Sequence, residues 1–358
     1  MKSFKFKAGR RLCVTSASAS ALTEIETESI TKLMEIRNFE QIYAGRRVAV
    51  TGHTGFTGGW LCSWLNIIGA DVFGYSLPPP TDPSLYDALG LKDRLSSTIG
   101  DIRDSEGVNA FFQARSPEIV FHLAAQPIVS AGYDDPRGTF ETNVIGTLNV
   151  LEAARQCRST RAVVCITTDK VYKNKEWEWG YREIDALGGT DPYSASKSAA
   201  EMVVQTYQAA LAPRTNGVLI AAARGGNIIG GGDWAENRVV PDFVRAALAG
   251  KPLVLRNPSA TRPWQHVMAL AHAYLVLGHR LIGAAKVRWQ MLGTLARLKK
   301  ATDLSEISFS RCNLVGQMSG LSSAQRHSQS RIIYICPAKR RASASTGILL
   351  SISSVRWI

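Results

Sequence analysis

The chain is short of the features that would place it in a special class. Its 358 residues include six cysteines, Cys13, Cys62, Cys157, Cys165, Cys312 and Cys336, none paired at the close spacing that builds a zinc or redox site. That excludes a disulfide scaffold and a zinc ribbon, and points to a reducing, cytoplasmic compartment. The six histidines are scattered and offer no metal-ligand spacing. No apolar run reaches the ~18 residues needed to cross a bilayer, so no membrane partner is expected.

Acidic residues are scarce at both ends. Residues 279–358 hold 13 Lys and Arg against 2 acids, residues 1–33 hold 6 against 3, and 23 basic and 24 acidic residues lie between. The net charge of +13 is therefore a property of the ends, and a nearly neutral centre argues against a nucleic-acid partner. The opening stretch MKSFKFKAGRRLCVTSASASAL is basic and Ser-rich but lacks a secretory apolar region, and Glu24, Glu26 and Glu28 follow it. Residues 1–33 are expected to form a disordered extension upstream of Met34.

From Arg46 the pattern is regular. RRVAVTG reads as a β-branched strand, TGGWLCSWLNIIG as a helix with Leu61, Trp64, Leu65 and Ile68 on one face, and ADVFGYS as a second strand. The alternation continues through the strand PEIVFHLAA and a long helix from Pro136 to Arg158 carrying Phe140, Val144, Leu148 and Leu151. The strand RAVVCITT, a helix from Tyr193 to Leu211 and the strand GVLIAAAR follow. Strands that alternate with helices and are apolar throughout predict an α/β fold, a doubly wound Rossmann-type parallel sheet covered on both faces. This unit is assigned to residues 40–224. Residues 225–278, rich in Gly, Asn, Asp, Arg and Trp before a helix from Met268 to Gly278, read as a smaller, incomplete C-terminal lobe that holds a polar ligand.

TGHTGFTGG puts Gly52, Gly55 and Gly58 between the first strand and first helix. The first glycine permits a tight turn, the second lets backbone approach a pyrophosphate, and the third allows close helix packing, beside the partial positive charge of a helix N-terminus. The acid that normally holds the adenosine ribose at the second strand end is absent, because that strand ends Gly74, Tyr75, Ser76. No Arg replaces it, so this position leaves NAD and NADP undecided. Asp101 and Ile102 of GDIRD stand at the next strand end, placed to flank an adenine.

DPYSASK sets Tyr193 and Lys197 one turn apart on a helix capped by Asp191 and started by Pro192. A free phenol titrates near 10, and a neighbouring ammonium together with an oxidised nicotinamide is expected to draw it toward neutrality, as a base requires. A cofactor-binding protein without catalysis would be expected to lack this pair.

The glycine loop, HLAAQ, the helix containing Asn143 and YSASK together resemble the extended short-chain dehydrogenase/reductase superfamily, whose members act on nucleotide sugars. The finer set VTGHTGFTGGWL, GDIRD, VFHLAAQP, TNVIGT, DPYSASK, GGGDW and TRPWQHV, spread over residues 40–278, is similar to the CDP-glucose 4,6-dehydratase family. The resemblance implies bound NAD, with Gly52, Gly55, Phe56, Gly58, Asp101, Ile102, Ala124, Ala125, Asn143, Tyr193 and Lys197 holding it. It implies CDP-glucose as substrate and a place in deoxysugar and lipopolysaccharide precursor synthesis. It also implies a homodimer or higher homo-oligomer formed through the helices of residues 136–158 and 193–211.

The resemblance further turns CITTDKVYK into the reacting edge. Thr168, Asp169 and Lys170 would face the hexose, with Tyr193 and Lys197 completing the catalytic set. Tyr193 would take the C4 hydroxyl proton while hydride leaves C4, Asp169 would protonate the departing C6 hydroxyl, and Lys170 would assist loss of the C5 proton. Most similar dehydratases have Glu at the position of Lys170, so its role is open between a base and a fixed cation. Asn227, Asp233, Trp234, Arg238, Arg256 and Arg262 are the candidate substrate ligands, Arg being suited to a pyrophosphate. A 4-epimerase, another nucleotide-sugar dehydratase and a catalytically impaired truncated member are the alternative readings.

Residues 279–358 depart from the resemblance. Thirteen Ser, many Arg and no sustained periodicity are what a shifted reading frame produces, and the expectation is an atypical tail in place of the remainder of the sugar lobe.

Overall fold

The structure, a computed structural model, describes residues 41–283 apart from Glu178, residues 215–216, residues 256–259 and Thr261. The readings of residues 1–33, Arg256 and residues 284–358 lie outside the described residues. The first half builds β1 (Arg47–Thr51), α1 (Phe56–Ile67), β2 (Asp71–Ser76), β3 (Ser96–Ile99), α2 (Ser105–Arg115) and β4 (Ile119–His122). The second half builds α3 (Gly146–Gln156), β5 (Ala162–Thr168), α4 (Pro192–Thr206) and β6 (Leu219–Gly225), then β7 (Asn227–Ile229), α5 (Val239–Leu248), β8 (Trp264–His266) and α6 (Val267–Gly283). Shorter helical turns join them.

Strands β1 to β6 form one parallel sheet in the order β3-β2-β1-β4-β5-β6. Side chains alternate across a strand, so apolar runs bury both faces at once. Val48, Val50, Phe121, Val164, Ala221 and Ala223 point to one layer, where Leu61 and Leu65 of α1 meet Leu270, Tyr274 and Leu275 of α6. Their neighbours Ala49, Val120, Val163, Ile220 and Ala222 point to the other, against Phe112 of α2, Val150 and Leu151 of α3 and Val204 of α4. Strand order reverses between β1 and β4, which opens a crevice at their carboxyl ends.

The helix expected over 136–158 is present in a different form. A short helix Pro136–Phe140 runs into a widened turn, Glu141–Ile145, before α3. There Thr147 Oγ1 donates to the Asn143 carbonyl at 2.6 Å, a local bond that competes with the regular helical ladder. The inward face also differs from the expected one. Leu151 is fully buried, but Phe140 is 39% and Leu148 36% exposed, while Asn143 and Thr147 are buried in their place. Polar residues can occupy that face because each finds a partner inside.

The segment after β6 is more regular than its composition suggests. Asn227 N donates to Pro263 O at 2.9 Å, and β7 and β8 pair in parallel with Asn227 opposite Trp264. Helix α6 continues to Gly283, beyond the expected limit at Gly278, and buries Tyr274, Leu275, Leu277 and Leu281 against the sheet. The apolar period simply persists past the boundary drawn from composition.

Leu65 is fully buried between α1 and the sheet. Leu65→Ala is expected to destabilise the fold by about 2–5 kcal/mol in urea unfolding, from lost transfer energy and the cavity left behind; a cost below about 1 kcal/mol would contradict this packing.

Candidate active site

The glycine loop sits at the carboxyl end of β1. Gly52 adopts φ +75°, and a Cβ there would stand 2.7 Å from Ala124 N; at Gly58 a Cβ would stand 2.1 Å from Gly52 O. Both positions exclude any side chain, so the loop and α1 close directly on the end of β4. Gly55 N donates to Gly52 O at 3.1 Å, and Gly55 precedes Phe56 at the start of α1 without a capping side chain. The first-turn N–H groups are thereby left for an anion, and the cradle fits a pyrophosphate. Ala124 N is held by Thr51 Oγ1 at 3.2 Å, which places Ala124 and Ala125 beside the loop. Phe56 extends toward the second segment, its Cζ 3.2 Å from where a Cβ on Gly230 would lie.

At the outer strands, Ile102 is buried against Gly146 of the α3 start, and Asp101 is paired to Arg103 at 2.6 Å. The hydrogen bonds from Arg103 hold the Asp101 carboxyl below the usual carboxylate range. Ser76, where the ribose acid is absent, is buried and bonded to Thr54 Oγ1 at 2.7 Å. His53 is a buried residue of the loop that the sequence reading did not single out. Its ring lies over Gly74, its Nε2 is 2.7 Å from Ser97 Oγ, and burial pushes its pKa down to about 4. The signal available was its place inside the loop itself, between Gly52 and Gly55.

A buried hydrogen-bond chain connects the loop to the tyrosine helix. Thr51 Oγ1 meets His122 Nδ1 at 2.8 Å, and His122 Nε2 meets Thr147 Oγ1 at 3.0 Å. Asn143 then accepts from Gln126 N at 2.8 Å and donates to Ser196 Oγ at 2.9 Å, one turn from Tyr193. Burial, then the charge of Lys197, push His122 down to about 3, so it is a neutral linker. His266 is exposed, with its Nδ1 accepting from Met268 N at 3.3 Å.

The expected trio and pair come together at the ends of β5 and α4. Asp191 caps α4 by accepting from Ser194 N at 2.9 Å, and Pro192 is its first residue. Tyr193 and Lys197 are 8% and 6% exposed, and Lys197 Nζ donates to Ile166 O at 3.3 Å. Thr168 Oγ1 donates to Asp169 Oδ1 at 3.0 Å and is felt at the Tyr193 phenol, while Lys170 N donates to Thr168 Oγ1 at 3.3 Å.

Burial dominates the electrostatics here. It pushes Asp169 above the usual carboxylate range, against the Thr168 hydrogen bond and the charges of Lys170 and Arg262. It pushes Lys197 down to about 8. It also pushes Tyr193 up to about 12, against the Thr168 hydrogen bond and the charge of Arg238. The expected lowering of the phenol is therefore not achieved by these side chains, because removing a group from water disfavours its charged form.

The second segment reaches the same place. Arg238, ion-paired to Asp233 at 3.1 Å, is felt at Tyr193, and Arg262 is felt at Asp169. Asn227 and Trp234 are half-buried, and Trp234 O accepts from Arg245 Nη1 at 2.8 Å, an arginine the sequence reading did not single out. Together these residues can hold a phosphorylated sugar across the sheet edge and move protons at it.

Residues 48–284 match the NAD dependent epimerase/dehydratase family. The chain belongs to this family. Among its curated members, the CDP-glucose 4,6-dehydratase of Salmonella typhimurium is 48% identical over 249 residues, 68% of this chain and 68% of that one. A solved dTDP-glucose 4,6-dehydratase from Streptomyces venezuelae with NAD bound superposes with a TM-score of 0.58 at 26% identity, over 65% of this chain and 72% of that one. An epimerase from Methanothermobacter thermautotrophicus does so with a TM-score of 0.59 at 25% identity, over 68% and 70%. Family membership accounts for the parallel sheet, the glycine cradle and NAD as the cofactor those residues fit.

The lysine makes a pH prediction. Between about 8 and its ordinary 10.5, the unfolded chain keeps a proton that folded Lys197 has released, so this group makes stability rise with pH across that window. The buried Cys165 and Tyr193, both raised, oppose it from pH 9 to 10 upward, so the clean observable is the difference between wild type and Lys197→Met. In urea unfolding that difference is expected to shift toward wild type by on the order of 3 kcal/mol over the window; a difference independent of pH would contradict the assignment.

Proposed function

We infer that the chain is an NAD-dependent hydro-lyase that converts CDP-glucose to CDP-4-keto-6-deoxyglucose and water. The observation that carries this reading is the Thr168, Asp169, Lys170 turn meeting Tyr193 at one sheet edge, because elimination needs an acid and a base beyond the tyrosine. The 48% identity to a CDP-glucose 4,6-dehydratase supports the choice of sugar nucleotide. A 4-epimerase has no use for the extra acid and cation, which disfavours that alternative. The NAD-binding part is assigned to residues 40–224 and the sugar-nucleotide lobe to residues 225–278, with Asn227, Asp233, Trp234, Arg238, Arg256 and Arg262 as its ligands.

Bound NAD supplies the hydride acceptor for C4 and the hydride donor for C6. Tyr193 takes the C4 hydroxyl proton, with Thr168 on the same oxygen. The C4 ketone so formed acidifies the C5 hydrogen, which leaves with the assistance of Lys170. Its electron pair forms the C5–C6 double bond as the C6–O bond breaks. Asp169, whose carboxyl burial shifts toward its protonated form, gives a proton to that oxygen, which departs as water. A proton returns to C5 when C6 is reduced, so the cycle has no net redox change.

The outer face of the Pro136–Gln156 segment supports a homodimer. Phe140, Ile145 and Leu148 are exposed there, and Met202 of the adjoining α4 is 55% exposed. No helix among the described residues is long and apolar enough to cross a membrane; the cytoplasm is proposed separately, from cysteines without paired spacing.

Incubation with CDP-glucose and NAD is expected to yield a 4-keto sugar, read by its ultraviolet absorbance in base; no product from the folded protein would overturn the reading. Asp169→Asn is expected to lower elimination by roughly 10²–10⁴-fold while C4 oxidation persists. Lys170→Met is expected to lose exchange of the C5 proton with solvent, and normal exchange would exclude Lys170 as the base. Leu148→Asp is expected to shift the protein from dimer to monomer in sedimentation; an unchanged dimer would place the interface elsewhere.

A further inference from the structure

The most deeply buried ion pair among the described residues takes no part in the chemistry above. Arg224 of β6 and Glu201 of α4 have side chains 3% and 1% exposed. Arg224 Nε lies 2.8 Å from Glu201 Oε1 and 3.0 Å from Oε2, and Nη2 also donates to Oε2, so the fork is bidentate. Each partner has a further contact, and these two contacts fall on either side of the reacting turn. Thr167 Oγ1, just before Thr168, donates to Glu201 Oε1 at 2.6 Å. Tyr172, two residues after Lys170, accepts at its hydroxyl from Arg224 Nη1 at 2.8 Å, and its ring centre lies 4.7 Å from the guanidinium carbon.

The placement follows from register and helix period. Thr167 pairs with Arg224 and Thr168 with Gly225 across β5 and β6, so Arg224 lies beside the last residue before the turn. Tyr193, Lys197 and Glu201 stand four apart and share one face of α4. The same helix face therefore presents the base, the lysine and the carboxylate that anchors β5. Tyr172 is also stacked on Tyr181, with centroids 4.9 Å apart and an interplanar angle of 11°. Arg224 stays charged: burial works against its charge, but the bonds and charge of Glu201, with Tyr172, together outweigh burial and raise its pKa. The buried pair is neutral as a unit.

We propose that Arg224 and Glu201 are positioning residues for the elimination step, a clamp that holds the Thr168–Lys170 turn at both ends; this rests on the dehydratase reading above. Tyr193 and Lys197 have independent support from the Asp191 cap and the Asn143–Ser196 bond. Thr168 is held as well by its pairing with Gly225 in the β5–β6 ladder, so loosening the clamp leaves C4 oxidation in place and misplaces Asp169 and Lys170, the acid and cation that act at C5 and C6. The clamp acts through the turn; the charge of Glu201 is also felt at Lys197, so the test variants leave Glu201 and Arg224 themselves in place.

Tyr172→Phe is the gentle test, since it removes the hydroxyl and keeps both ring contacts; Thr167→Val releases the other end. In each variant, the rate of nicotinamide reduction in a single turnover reports C4 oxidation, and 4-keto product reports elimination. Elimination is expected to fall between roughly tenfold and a hundredfold, the scale of a displaced catalytic group, with oxidation and KM within twofold of wild type. A parallel loss of both steps, or no loss of elimination, overturns the proposal. Amide hydrogen exchange is measured on the same proteins without ligand. Faster exchange at Asp169–Tyr172 with unchanged exchange at Tyr193–Lys197 is expected, and unchanged exchange at Asp169–Tyr172 overturns the clamp even if wild type proves inactive on CDP-glucose. Wild-type inactivity alone would count against the substrate reading instead.

Discussion

The approach of bare backbone at the end of β1 is the constraint on which the rest depends. Gly58 lies so close to Gly52 O that one methyl group would force them apart, and a methyl group on Gly52 would likewise clash with Ala124 N. With those atoms absent, α1 starts directly above the strand order reversal, and its first N–H groups face the crevice. The parallel sheet then does the rest of the placing. All six strands end on one edge, so the glycine loop after β1, the Ala124–Ala125 turn after β4 and the Thr168–Lys170 turn after β5 share a single rim.

Behind that rim the protein replaces water with its own dipoles. Burial favours neutral forms whatever the group, and the directions seen here follow that rule: Asp169 and Tyr193 go up, Lys197 and His122 go down. A raised carboxyl suits an acid that must hold a proton before giving it up. A raised phenol suits a base less well, and its charge must come from partners that the side chains around it supply only in part. The buried polar groups that link the loop to α4 are tolerable because each is bonded onward, from Thr51 through His122, Thr147 and Asn143 to Ser196.

Much of this was legible in the chain. The β1–α1–β2 unit, the β5 strand, the cap at Asp191 and the i, i+4 tyrosine and lysine all depend on local spacing, and they occur where spacing puts them. The inner face of the 136–156 segment was not legible. Phe140 and Leu148 have the period of a buried stripe, but a helix can bury its apolar face or present it outward, and hydrogen bonds with distant Gln126 and Ser196 decided that Asn143 goes inside. The pairing of β7 with β8 and the contact of His53 with Ser97 were hidden for the same reason, since their partners lie tens of residues away.

By itself the sequence determined what is short in range: which runs are strands and helices, where a phosphate can approach backbone, and which residue types line up for proton transfer. Tertiary structure alone decided which face of each element is inside, which charges feel one another and in which direction each pKa moves. The physical reason is that hydrogen bonding and turn geometry act over a few residues, whereas desolvation depends on every element packed around a group. CITTDKVYK illustrates the division. Its strand and its reactive types are written in nine letters, but the burial that raises Asp169 and the Arg224–Glu201 pair that brackets the turn come from β6 and α4.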